Sequence, residues 1–158
     1  MEKLRIEIKW ALIFVAMGLL WMVLEKAVGL HSTHIDKHAT YTNLVAIPAI
    51  LIYVLALRDK RNNFYDGKMT YQQGFITGLI ITVVVALIAP LSQYITNTVI
   101  TPEYFPNVIA YAVESGMMEQ EAAENYFTLK NYMIQAPIGA LIMGVLTSAV
   151  VAIFIRKK

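Results

Sequence analysis

The fold is decided by residues 75–95, FITGLIITVVVALIAPLSQYI, which contain no Asp, Glu, Lys, Arg or His. A helix of about 20 residues crosses a bilayer hydrocarbon core about 30 Å thick, so this stretch is long enough to span it. A helix at the surface of a soluble protein presents a charged face to water, whereas this one would need apolar cover on every side. The stretch therefore predicts a transmembrane helix.

Three further apolar stretches, bounded by charged clusters, lie at residues 10–24, 44–57 and 133–155. The last is long enough by itself, and the first two reach bilayer length once their polar flanks lie at the interfaces. We predict an all-α polytopic integral membrane protein with one membrane domain over residues 1–158. Its four transmembrane helices are expected at about 6–30, 38–57, 74–95 and 133–155. A soluble bundle is the alternative, but a chain of this size could bury one such helix, not four.

Composition supports the membrane class. Hydrophobic residues make up 58% of the chain and charged residues 15%, against roughly 45–50% and 25% in soluble domains. The absence of cysteine excludes disulfides, thiolate metal ligands and a cysteine nucleophile. A cleaved signal peptide is an alternative reading of the first stretch, although Glu25 and Lys26 fall within the would-be cleavage region.

The distribution of lysine and arginine predicts the orientation. With four spans, both termini share a side with the loop between the second and third helices. Ten of the 13 basic residues lie on that side: Lys3, Arg5, Lys9, Arg58, Lys60, Arg61, Lys68, Arg156, Lys157 and Lys158. The other side has Lys26, Lys37 and Lys130. Because cytoplasmic loops are rich in Lys and Arg, both termini are expected in the cytoplasm.

Residues 96–132 form the longest connection between spans. Apolar periodicity predicts a helix over 108–115, Gly116 is a typical stop, and 117–132 read as a second helix. We therefore predict an external helical hairpin between the third and fourth transmembrane helices. Its length exceeds what a simple connector needs, which leaves a partner-binding or capping role open.

Small residues at four-residue spacing indicate close helix packing, because lipid gives helices no hydrophobic reason to associate. Two such stripes are present: Gly74, Gly78, Thr82 and Ala86 in the third helix, and Ala136, Ala140, Gly144, Ser148 and Ala152 in the fourth. We expect the two stripes to face each other, or to face copies of themselves.

The polar segment after the first helix contains weak candidates for a metal site: His31, His34, Asp36 and His38. Imidazole and carboxylate suit zinc or a similar ion. No single regular conformation aligns all four residues, and a plain polar loop at headgroup level is the simpler interpretation. Glu25, near the end of the first helix, is read as an interfacial anchor.

No catalytic motif and no intramembrane pair of acids is present, so we expect no enzyme, no catalytic residue and no cofactor. The third and fourth helices carry no charge, which argues against a proton-coupled transporter acting alone. The basic residues on the predicted cytoplasmic side suit anionic lipid headgroups, so the expected partner is the lipid bilayer and not nucleic acid.

Several segments carry a family resemblance. Gly29-Leu30-His31 closes the first helix, Gln73-Gly74-Phe75 with Thr77-Gly78 opens the third, and Thr101-Pro102-Glu103-Tyr104-Phe105 follows it. Over essentially its whole length the chain resembles the bacterial membrane proteins catalogued as domain-of-unknown-function family 4199. The resemblance implies a four-helix protein of the bacterial inner membrane and leaves its activity open.

The first hypothesis for function is a non-enzymatic membrane scaffold or accessory subunit that acts through helix packing and the external hairpin. A homo-oligomer and a membrane partner protein both stay open as its assembled state. One alternative is a small transport or channel component that functions as an oligomer. The other is a metal- or pH-responsive membrane sensor.

Overall fold

The computed structural model describes residues 4–157, so Lys3 and Lys158 of the charge bias lie outside the described residues. Within that range the chain forms seven α-helices. A 3₁₀ segment, Thr42–Val45, joins the second helix to the third, and a π-helical segment, Thr96–Ile100, continues the fourth. The helices are α1 Arg5–Ala27, α2 Ile35–Tyr41, α3 Ala46–Asn63, α4 Tyr71–Ile95, α5 Tyr104–Glu114, α6 Gln120–Tyr126 and α7 Leu129–Ile155.

Four helical segments are long and apolar enough to cross a membrane, and the chain is a polytopic membrane protein. They are Arg5–Ala27, Ile35–Asn63, Tyr71–Ile100 and Leu129–Ile155. The second is longer than the predicted 38–57 because α2 and the 3₁₀ segment lead directly into α3. The third continues beyond the predicted end at 95 through the π-helical segment.

Local side-chain caps explain where two spans begin. Thr70 and Gln73 form a reciprocal capping box at the start of α4, with bonds of 2.8 and 3.2 Å between each side chain and the other's backbone N–H. The Thr128 hydroxyl accepts from the Asn131 backbone N–H at 3.2 Å, which starts α7 four residues before the predicted 133.

The spans form a bundle in which α4 packs against α1, α3 and α7, and α3 packs against α1 and α7. Contacts at successive positions show that α1 runs antiparallel to α3, and α4 antiparallel to α7. We call the end that holds Arg5, Asn63, Tyr71 and Ile155 the terminal end. The opposite end, built from the end of α1 with α2, α5 and α6, is the cap end.

The two small-residue stripes meet between α4 and α7, inside one chain. A Cβ on Gly78 would overlap the Ser148 side chain, and one on Gly144 would overlap that of Thr82. A Cβ on Gly74 would lie 3.3 Å from that of Ala152. Of the other stripe residues, Ala86 is buried, whereas Ala136 and Ala140, nearer the cap end, are half-buried.

The terminal end is joined by charge and backbone contacts. The Lys60 ammonium lies 2.9 Å from the Glu7 carboxylate, and both side chains are buried. The Arg61 guanidinium donates to the Ile155 carbonyl at 3.0 Å, which ties the end of α3 to the end of α7. Met69 and Lys157 exchange two backbone hydrogen bonds of 2.9 Å.

The connection between α4 and α7 contains two short helices, α5 and α6, that contact each other. Gly116 turns the chain between them with a φ of +71°. The helix predicted over 117–132 is interrupted after Tyr126. The Asn131 amide donates to the carbonyls of Asn125 and Tyr126 at 2.8 and 3.0 Å, which satisfies groups that the end of α6 leaves open.

Candidate metal centre

Glu25 occupies the last full turn of α1, at the cap end, and its carboxylate is 1% exposed. Trp21 lies one turn earlier on the same face, and its indole N–H donates to Glu25 Oε1 at 2.5 Å. The sequence suggests an interfacial anchor here. The structure instead surrounds the carboxylate with side chains from other segments.

A reversal of the chain directly after α1 brings His31 back over Glu25. Gly29 makes the turn with a φ of +80°, a conformation that glycine adopts without strain. The Leu30 N–H donates to the Glu25 carbonyl at 2.9 Å, and the His34 N–H to the Gly29 carbonyl at 2.8 Å. As a result His31 Nε2 lies 3.0 Å from Glu25 Oε2, and its side chain is 3% exposed.

The helix α2 supplies the third member of the cluster. His38 Nε2 lies 3.4 Å from the same carboxylate oxygen, Glu25 Oε2, and its side chain is 21% exposed. One ligand atom from each of Glu25, His31 and His38 lies within 4.8 Å of the others. We call these three residues the His₂Glu cluster.

Two of the four sequence candidates lie outside this cluster. His34 Nδ1 lies 3.2 Å from the Val28 carbonyl oxygen and 3.2 Å from the Thr33 hydroxyl, at the surface. Asp36 is exposed in the first turn of α2. The structure thus brings together His31 and His38 and adds Glu25, because the turn at Gly29 reverses the chain between the acid and the histidines.

The helix α5 covers the cluster with an aromatic ring. The Tyr104 ring centroid lies 5.3 Å from that of each imidazole, and the Asn107 amide donates to the His31 carbonyl at 2.9 Å. The Tyr104 hydroxyl lies 3.3 Å from that of Tyr132 on α7. Burial raises the pKa of Tyr104, and Tyr132 and the charge of Glu25 raise it further, so the phenol is protonated at neutral pH.

A pocket of about 180 Å³ adjoins the cluster. The π-helical segment contributes Thr96 and Asn97 to its wall, and π segments of this kind occur frequently at functional sites. Two buried polar atoms of its lining residues, His31 Nδ1 and Thr101 Oγ1, have no hydrogen-bond partner. The lining consists of Met22, His31, His38, Thr42, Gln93, Thr96, Asn97, Thr101, Tyr104 and Tyr132.

The spacing of the His₂Glu cluster fits a small divalent ion. Two ligands of a tetrahedral zinc ion with bonds of about 2.1 Å are separated by roughly 3.3 Å. The observed separations from Glu25 Oε2 are 3.0 Å to His31 and 3.4 Å to His38. Imidazole and carboxylate are ordinary zinc ligands, and three protein ligands leave the fourth position open.

Sequence reasoning missed the parts of this site that lie far apart along the chain. Glu25 had one usable signal, since it is the only acid in the outer half of its span. Thr101 and Tyr104 entered only as part of the segment that carries the family resemblance. Their position beside the histidines depends on how the segment after α4 packs against α2, and no local pattern encodes that.

The fold and this site define a class: a four-helix polytopic membrane protein with a buried acid and two histidines at one end of the bundle. The chain belongs to the family described as "Protein of unknown function (DUF4199)", which matches residues 9–157. The family predicted from the sequence is therefore confirmed. No curated protein and no solved structure matched the chain.

Proposed function

We propose that this protein is a membrane-embedded metal sensor that binds one divalent transition-metal ion, with zinc as the first candidate, at Glu25, His31 and His38. The observation that carries the proposal is the convergence of three ligand atoms within 4.8 Å in a largely buried position. Soft thiolate ligands are absent from the chain, so the ligand set favours a borderline ion of the zinc class.

The charge balance of the cluster supports a cation. The side chains that hydrogen-bond to the Glu25 carboxylate are an indole, a hydroxyl and two imidazoles: Trp21, Thr42, His31 and His38. With neutral imidazoles, this buried carboxylate has no full positive charge among those donors, and burying an uncompensated charge is costly. A bound dication supplies that charge.

The connections of the cluster suggest how binding is transmitted. The three ligands come from α1, from the turn after it and from α2, so one ion would cross-link three successive segments. The Asn107 bond and the Tyr104 ring extend the link to α5. Metal binding therefore stabilises the cap end as a unit.

The distribution of basic residues supports a location for the site. If the basic side of the chain faces the cytoplasm, the cap end lies on the opposite face of a bacterial inner membrane. The sensor then reports on metal outside the cytoplasm. Cysteine-scanning with a membrane-impermeant thiol reagent at Ser32, a surface position, tests this orientation.

The two other hypotheses for function have less support. The scaffold hypothesis depends on helix packing and on the external hairpin. The stripe residues that pack closely, at Gly74, Gly78 and Gly144, do so between α4 and α7 of the same chain, so these positions are not open to a partner or a second copy.

Zinc titration by calorimetry tests the proposal on protein purified in detergent and stripped with a chelator. We expect one site per chain, with affinity lowered about 100-fold or more in Glu25→Gln, His31→Ala and His38→Ala. His34→Ala is the matched control, because His34 lies in the same segment outside the cluster. Absence of zinc binding in the wild type, or an equal loss in His34→Ala, would refute the proposal.

A further inference from the structure

We infer that the pocket beside the His₂Glu cluster binds a small oxyanion as the fourth ligand of the metal ion. The inference rests on the metal site proposed above and specifies what completes it. The chemical class is a carboxylate, bicarbonate or phosphate group, either free or carried by a lipid headgroup.

The first support is a pair of buried polar atoms without partners. His31 is 3% exposed and Thr101 is 1% exposed, and neither His31 Nδ1 nor Thr101 Oγ1 makes a hydrogen bond. Buried polar atoms are nearly always paired, and these two unpaired atoms belong to residues that line the same pocket. They indicate that a polar partner is missing near the pocket.

The second support is the kind of group that these atoms require. When a metal ion occupies His31 Nε2, the proton of the neutral imidazole resides on Nδ1, which becomes a donor. Metal-bound histidines almost always donate this second N–H to an acceptor. The Thr101 hydroxyl also has a proton to donate. Two donors on residues beside the proposed metal site call for a group with several acceptor oxygens.

The third support is charge. A dication with the Glu25 carboxylate and two neutral imidazoles has a net charge of +1 in a buried setting. None of the ten residues that line the pocket is acidic, whereas hydroxyl and amide groups are frequent among them. A monoanion neutralises the centre, which removes the cost of a buried net charge.

The fourth support is space and coordination. The pocket volume of about 180 Å³ is several times what one water molecule needs. Zinc sites with three protein ligands leave a fourth position for an exogenous ligand. The pocket lies beside two of the proposed ligands, His31 and His38.

The test uses the full chain in a phospholipid-free detergent, loaded with Co²⁺, whose visible absorption reports the coordination of the ion. Acetate, inorganic phosphate and glycerophosphate are titrated separately. We expect a saturable spectral change, and about tenfold weaker anion binding in Thr101→Val with Co²⁺ affinity unchanged. Thr101→Ser keeps the hydroxyl and should bind anions as the wild type does.

Thr98→Val is the matched control, because Thr98 lies in the π-helical segment directly before Thr101 but is exposed and donates to the Tyr94 carbonyl. Tighter binding of glycerophosphate than of the free anions assigns the site to a headgroup, and the reverse assigns it to a soluble anion. Either result supports the inference. Co²⁺ binding without any anion response overturns the oxyanion site and leaves the metal site standing. Failure to bind Co²⁺ overturns both.

Discussion

Both ends of α1 hold a buried glutamate, but the two carboxylates have different partners. Each end carries a glutamate that is 1% exposed, Glu7 at the terminal end and Glu25 at the cap end. Glu7 forms an ion pair with the ammonium group of Lys60 at 2.9 Å. Glu25 faces two imidazoles, side chains that commonly serve as metal ligands. The first arrangement is complete in itself, and the second is suited to accept a cation.

The surroundings of the two glutamates differ in the same sense. Near the terminal end, Gly74 and Gly78 let α4 and α7 approach without space for a side chain. At the cap end the Ala136 and Ala140 positions are only half-buried, and a pocket opens beside the cluster. The terminal end is thus the more closely packed of the two, and the cap end is where the proposed metal site lies.

The largest expected effect concerns the terminal ion pair. Glu7→Gln removes the buried carboxylate that lies 2.9 Å from the Lys60 ammonium and should lower the free energy of unfolding by about 3–5 kcal/mol. The measurement is SDS-induced unfolding followed by tryptophan fluorescence. Lys9→Gln is the matched control, because the Lys9–Asp59 pair is exposed on the lysine side and should contribute about 1 kcal/mol or less. Equal losses of unfolding free energy in Glu7→Gln and Lys9→Gln would contradict the difference between a buried and an exposed ion pair.

The next effect is the stabilisation by zinc, which should depend on the glutamate at the cap end and not on the one at the terminal end. Zinc at 100 times its dissociation constant should raise the free energy of unfolding of the wild type by about 2.7 kcal/mol. Glu25→Gln should lose this increment, and Glu7→Gln should keep it despite a lower baseline. Zinc stabilisation that depends on Glu7 and not on Glu25 would reverse the assignment of roles.

A smaller effect tests the packing between α4 and α7. Gly144→Leu forces a side chain into Thr82 and should destabilise the protein by about 1–3 kcal/mol. Gly139→Leu, on the same helix, meets no atom within 4 Å of its Cβ and should be nearly neutral. Thermal unfolding in detergent compares the two, and indistinguishable midpoints would argue against a close crossing.

The smallest effect concerns the turn that positions His31. Gly29→Ala and Gly116→Ala both place a side chain at positive φ and should each cost about 1–2 kcal/mol. Only at Gly29 would the new Cβ meet neighbours, at 2.5 Å from Thr33 Oγ1 and 3.0 Å from His34 Nδ1. Zinc calorimetry should therefore show weaker binding in Gly29→Ala alone. A similar loss in Gly116→Ala would mean that the turn does not position the cluster.

The site was only partly accessible from the sequence. His31 and His38 were among its metal candidates, and so were His34 and Asp36, which the structure leaves at the surface. A group of histidines in the sequence indicates candidate ligands, but it does not show which of them come together in the folded chain. The position of Glu25 along α1 suggests the membrane interface, so the sequence predicts an interfacial anchor. The position of a residue along one helix does not show which other segments cover its side chain.

The sequence by itself determined the class of protein. Long uncharged stretches can exist only where lipid or protein replaces water on all sides, and this solvent argument needs no tertiary contact. It also contained the signals for several boundaries, such as the Thr70 and Gln73 capping box, because caps act within one turn. Only the tertiary structure decided that Glu25, His31, His38, Thr101 and Tyr104 meet at one place. Their contacts join residues separated by up to several dozen positions, and such contacts arise from the packing of whole helices.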